Sequence, residues 1–231
     1  LRSRFQSDDH GSDFYNSRLK KTDANEWEPS FRKVFRDCWN VLFAPAPPVA
    51  NIVESFLENN GLIPGVYVAS HLRALYAVKE RGQGYLDLWT QNAINCASGL
   101  SEGGPMFFAS DSKDATHAAM LYGEHQRVLV ISRIGDGEPL HLDKAQHWEK
   151  RTPSEYYDTF VDLYLLAMAK CVTYGLGGFG RWASYMSFNS TCAIRHQAFT
   201  GLHHCPFVKP PKQQHFYDLD KPIFHLPMPA Y

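Results

Sequence analysis

Apolar residues return every three or four positions through Phe31, Val34, Phe35, Cys38, Trp39 and Leu42, which predicts an amphipathic helix. Pro45, Pro47 and Pro48 stop it, and 49–60 reads as a second amphipathic helix closed by Gly61 and Pro64. Beyond this point the period changes repeatedly. Short apolar runs at 65–70, 105–110, 127–132, 171–174 and 192–195 predict buried strands. Between them the spacing predicts helices over 86–100, 114–122 (ended by Gly123), 153–170 and 179–188. A polar stretch with Gly135, Gly137 and Pro139 reads as a loop over 133–152, and Gly175-Leu176-Gly177-Gly178 as a tight turn.

Strands that alternate with helices predict a parallel sheet covered on both faces, an α/β fold of Rossmann-like type. Residues 1–30 are polar and charged with almost no apolar periodicity, as expected of a tail or linker. The domain then spans 31–209. Residues 210–231, with Pro210, Pro211, Pro222, Pro227 and Pro229, read as an extended proline-rich tail. No internal repeat of useful length is present.

The chain has 231 residues, 44% of them hydrophobic, which is room for one large domain with a sizeable core. Its 23 basic and 24 acidic side chains give a formal charge of −1, so no global basic footprint marks a nucleic-acid partner. No apolar run approaches the ~18 residues that a membrane-spanning helix needs. The chain starts Leu-Arg-Ser-Arg-Phe without a Met or a signal-peptide core, and we expect it to be a processed or truncated piece of a longer protein. Its five cysteines, Cys38, Cys96, Cys171, Cys192 and Cys205, form no CxxC pair. They fit buried small hydrophobes as well as one or two disulfides in an oxidising compartment, where the sequon Asn189-Ser190-Thr191 would also matter.

In open parallel sheets ligands bind outside the carboxyl ends of the strands. The first strand ends in Ser70-His71-Leu72-Arg73, the second in Ser110-Asp111-Ser112, and the fourth in the glycine turn directly before a helix. A cation, a carboxylate and a helix N-terminus suit a nucleoside diphosphate. The glycines also fit a strand-to-helix turn without a ligand, since the full dinucleotide-binding spacing is not met. Arg73 also fits a surface residue, His71 a satisfied structural histidine, and Asp111 a cap for the helix near Asp114. Asp162, in the apolar stretch Phe160-Val161-Asp162-Leu163, requires either a buried partner or a ligand donor. The remaining histidines, His203-His204-Cys205 among them, show no metal-ligand spacing.

Taken in order, these strand ends resemble the donor-binding half of GDP-fucose-dependent fucosyltransferases, the superfamily of alpha-1,6-, bacterial nodulation and protein O-fucosyltransferases. Its His-x-Arg motif is matched by His71-Leu72-Arg73. Its apolar-Ala-(Thr/Ser)-Asp segment is matched by Phe108-Ala109-Ser110-Asp111-Ser112. Its third motif is matched from Asp162-Leu163-Tyr164-Leu165-Leu166 through Cys171 to Arg181. The resemblance covers roughly 60–196 and implies the second Rossmann-like domain of a two-domain GT-B glycosyltransferase. By similarity, His71 and Asp162 become nucleoside contacts and Arg73 the phosphate contact and catalytic residue. Asp111, Ser112, Gly177, Gly178 and Phe179 join the donor site. The chain departs from the family in having no hydroxyls in the 175–178 turn, and in having Ala74 where the alpha-1,6 branch carries a second arginine.

The resemblance implies inverting transfer of fucose from GDP-fucose to a glycan or protein hydroxyl, with no metal or other cofactor required. A general base must take the acceptor proton, and the N-terminal domain of a GT-B enzyme is one place for it, so no residue is assigned that role. A Golgi or ER lumen fits the family. The hydroxyl-poor turn also suits a nucleotide-binding module without transfer activity, and the fold suits another sugar-nucleotide transferase.

Overall fold

The structure, a computed structural model, describes residues 24–75, 83–133, 150–188 and 192–196. Outside them lie the N-terminal stretch to residue 23, most of the 133–152 loop, the sequon, His203-His204-Cys205 and the proline-rich tail.

Helix α1 (Ala24–Leu42) starts at Ala24, inside the stretch expected to be a tail, rather than at Phe31. Helix α2 (Pro47–Asn60) follows, with prolines at its first two positions and Gly61 at φ 61° closing it in the left-handed region. Then come β1 (Val68–Leu72), α3 (Gln83–Ser101), β2 (Met106–Ser110), α4 (Lys113–Gln126) and β3 (Val130–Ser132). A 3-10 turn (Pro153–Tyr156) leads into α5 (Tyr157–Ala167), followed by β4 (Cys171–Tyr174), α6 (Gly178–Met186) and β5 (Ala193–Arg195).

The five strands are all parallel, in the order β3-β2-β1-β4-β5. The chain therefore winds one way from β1 to β3 and the other way from β4 to β5, the Rossmann-like arrangement whose switch point lies between β1 and β4. The strands are mostly apolar and buried because helices cover both faces, and the buried hydroxyls of Ser70 and Thr173 pair with each other. On one face Ala69, Phe107, Ile131 and Val172 pack under α2, α5 and α6 through Val53, Leu57, Val161, Leu165 and Ala183. On the other, Val68, Leu72, Met106, Phe108 and Val130 pack under α3 and α4 through Leu86, Ile94, Ala115 and Ala119. Each fully buried Leu, Ile or Phe contributes about 1.5–3 kcal/mol.

Gly123 does not end α4. It lies within the helix, where an added Cβ would stand 2.3 Å from a methyl of Val130, so the glycine lets α4 approach β3 closely. Arg127 at φ 57° is the left-handed residue that closes the helix. A disulfide joins Cys171 to Cys192 at the amino ends of β4 and β5, Cys96 is also disulfide-bonded, and Cys38 is an exposed thiol. No helix among the described residues is long and apolar enough to cross a membrane.

Candidate functional site

Parallel pairing puts all five strand ends on one edge of the sheet. Register then sets which side chains share a face there. His71 pairs with Tyr174, and Tyr174 with Arg195, so these three form a row on the α6 side at the carboxyl ends. The first turn of α6 lies directly on this row. A Cβ at Gly180 would come 2.7 Å from Cβ of Tyr174 and 2.9 Å from Cβ and Nδ1 of His71, so only glycine permits the approach. The ring of Phe179 sits 5.1 Å from that of His71. His71 is thereby buried, at 6% exposure, under the helix start rather than open to the crevice.

Arg73 leaves the end of β1 and crosses the switch point. Its Nη1 lies 2.7 Å from where a Cβ of Gly177 would be, and Gly177 takes φ 88° as the residue before α6. A side chain there would meet both an unfavourable backbone region and the guanidinium. Gly177 and Gly178 are exposed, so the amide end of α6 and the Arg73 guanidinium occupy one open corner.

The second strand end supports the first. Ser110 Oγ donates to the carbonyl of Leu72 at 2.7 Å. Asp111 Oδ1 accepts the backbone N–H groups of Ala74 at 2.6 Å and Leu75 at 3.1 Å, which fixes the chain just after Arg73. Asp111 does not cap α4. Ser112 does, its Oγ accepting from the N–H of Ala115.

Asp162 stands apart from this group. It projects from α5 toward the end of β3, where Arg133 Nη1 reaches its Oδ1 at 3.1 Å and also donates to the Asp158 carbonyl at 3.0 Å. Arg133 Nη2 pairs with the Asp158 carboxylate. Burial pushes the Asp162 carboxyl up to about 6, and the Arg133 charge offsets only part of that rise. The carboxylate in an apolar helix thus has a half-buried partner, Arg133.

The residue missed in the sequence is His196, the first after β5. Its N–H donates to the carbonyl of Tyr174 at 2.9 Å, and its ring crosses the end of β4 so that Nε2 lies 3.0 Å from the carbonyl oxygen of His71. That oxygen also accepts from the N–H of Gly175 at 2.9 Å. His196 is 2% exposed, and burial pushes its imidazole down to about 4, leaving the ring neutral at pH 7. Among the described residues no group of three or more His, Cys, Asp or Glu side chains is arranged to hold a metal ion.

An apolar groove of about 370 Å³, lined among others by Trp39, Phe43, Tyr156 and Phe160, contains none of these residues. Compared with models of protein families, with curated proteins and with solved structures, the chain has no match.

Proposed function

We propose that this chain is the donor-binding domain of a glycosyltransferase of the fucosyltransferase type, taking GDP-fucose at the carboxyl ends of β1 and β4. The observation that carries this reading is Arg73 lying against Gly177 at the start of α6. A planar cation and the first-turn N–H groups of a helix lie at one corner at the switch point of the sheet. Asp111 holds the Arg73 backbone in place, and Phe179 and His71 close the side of the crevice.

In the transfer itself, the acceptor oxygen forms a bond to the sugar's anomeric carbon while the bond from that carbon to the β-phosphate oxygen breaks. The electron pair leaves with GDP, and the acceptor proton goes to a general base. Arg73 and the α6 N-terminus stabilise the charge developing on the departing diphosphate. The acceptor is a glycan or protein hydroxyl. The Cys171–Cys192 disulfide suits an oxidising compartment such as the secretory lumen.

The turn at 175–178 has no side-chain hydroxyl to offer a phosphate, and this favours a second reading, a nucleotide-binding module without transfer activity. Calorimetric titration with GDP, GDP-fucose, UDP and ADP tests both. Guanine-selective binding that weakens at least tenfold in Arg73→Ala is the expected result. Indifference of that binding to Arg73→Ala would remove the phosphate role. Binding without fucose transfer by the full-length protein would leave the second reading standing.

A further inference from the structure

His196 is built into the crevice more firmly than its place after a three-residue strand suggests. Its backbone N–H holds the end of β4, and its ring spans β4 to reach β1, so it ties together both strands of the switch point. The oxygen that Nε2 meets is a carbonyl, which can only accept, so Nε2 carries the proton. In the neutral ring Nδ1 is then a bare lone pair. That atom is buried and has no hydrogen-bond partner among the described residues. A buried acceptor left unmet costs free energy, and in native proteins such atoms are matched by water or by a ligand.

We infer that Nδ1 of His196 is the acceptor for a hydroxyl group of the ligand bound at the β1–β4 crevice. The inference rests on the nucleotide-sugar reading above, which supplies two sources of such a hydroxyl, the ribose and the transferred sugar. His196 acts as a binding residue and not as the missing base. Its suppressed proton affinity suits it to accept a hydrogen bond at neutral pH without removing the proton. A site built around a buried acceptor discriminates strongly against an analogue that lacks the donor.

The test uses two substitutions that divide the ring between them. His196→Gln places an amide where Nε2 lies, keeping the tie to the His71 carbonyl and removing the acceptor at Nδ1. His196→Asn places its amide oxygen near Nδ1 and gives up the tie. The full chain and both variants are titrated with GDP, 2′,3′-dideoxy-GDP and GDP-fucose, and their melting temperatures are compared. We expect Gln to keep the wild-type melting temperature while losing about tenfold in affinity. We expect Asn to bind more tightly than Gln despite melting lower.

A loss seen with GDP but not with the dideoxy analogue assigns the ribose, and a loss confined to GDP-fucose assigns the sugar. Gln binding all three probes as tightly as wild type overturns the role of Nδ1 and leaves the donor site intact. Absence of binding by the wild-type chain itself overturns the nucleotide-sugar reading, and the role of His196 with it.

Discussion

Two clusters stand at the same edge of the sheet and use an arginine in opposite ways. At β3, Arg133 is clasped by Asp158 and Asp162, so its charge is already compensated and its geometry already spent. At β1 and β4, Arg73 is laid against a glycine at a helix N-terminus, beside the point where Gly175 and His196 meet the His71 carbonyl. The first arrangement holds a loop end to a helix. The second gathers donors around an open corner, the arrangement suited to an anion. Charge alone does not distinguish the two arginines. What separates them is that Arg133 is held by two acidic residues of a helix, whereas Arg73 lies against the glycine that opens one.

The comparison breaks most visibly at Gly180. Gly180→Ala drives a methyl into Cβ atoms of Tyr174 and His71 that have no room to retreat. We expect a loss of about 1–3 kcal/mol in chemical denaturation. GDP affinity falls with it as the first turn of α6 lifts away from Arg73. An unchanged affinity would show that the helix start is not part of the binding corner.

Arg133→Met sharpens the contrast from the other side. It strands Asp162, which retains 24% of its side-chain surface. The cost should therefore be about 1–2 kcal/mol, below the 3–5 of a fully buried broken pair. GDP affinity should stay within about twofold of wild type. A tenfold drop would join Asp162 to the nucleotide site, as the fucosyltransferase resemblance implies, and erase the distinction drawn here.

The smallest effect is a near-cancellation with pH. Burial holds the His196 ring at about 4 against an ordinary 6.5, so the unfolded chain takes the proton first. Its stability contribution is present above pH 6.5 and lost as pH falls toward 4. Asp162 is raised to about 6 from 3.8, so the folded chain takes that proton first, and its contribution is gained over the same fall. The two contributions have opposite signs, so the net change between pH 4 and 6 should be smaller than either alone. Denaturation across that range separates them. His196→Gln should gain stability relative to wild type as pH falls, and Asp162→Asn should lose it. Parallel profiles for all three proteins would mean that neither group titrates as its burial dictates.

Most of the fold was legible because strand and helix announce themselves locally. The run Cys171-Val172-Thr173-Tyr174 lies between Lys170 and a glycine, and β4 occupies those residues. The start of α1 was not legible, since Asn25-Glu26-Trp27-Glu28-Pro29-Ser30 carries no apolar period. Gly123 misled for a related reason, because a helix end and a close helix–strand contact both call for glycine. The site divides along the same line. Arg73 and the glycine turn were visible as strand ends, and sheet order then brought them together. His196 was invisible because its reach over β4 to a carbonyl of β1 depends on which strands are neighbours, and no spacing along the chain encodes that. The reason for Asp162 was half visible: the need for a partner was plain, and its identity as Arg133 was not.

The Cys171–Cys192 bond lies at the opposite end of β4 and β5 from the crevice. Mechanically the two strands are a pair of tongs, with a covalent pivot at the amino ends and His196 at one tip. The outer arm is only three residues long and lies at the sheet's edge, held besides the pivot by its hydrogen bonds to β4 and by the buried side chains of Ala193 and Ile194. Cutting the pivot frees that arm before it disturbs the central strand that carries Arg73. The spacing of the two strands that carry one wall of the crevice is thus set covalently from the far side of the sheet.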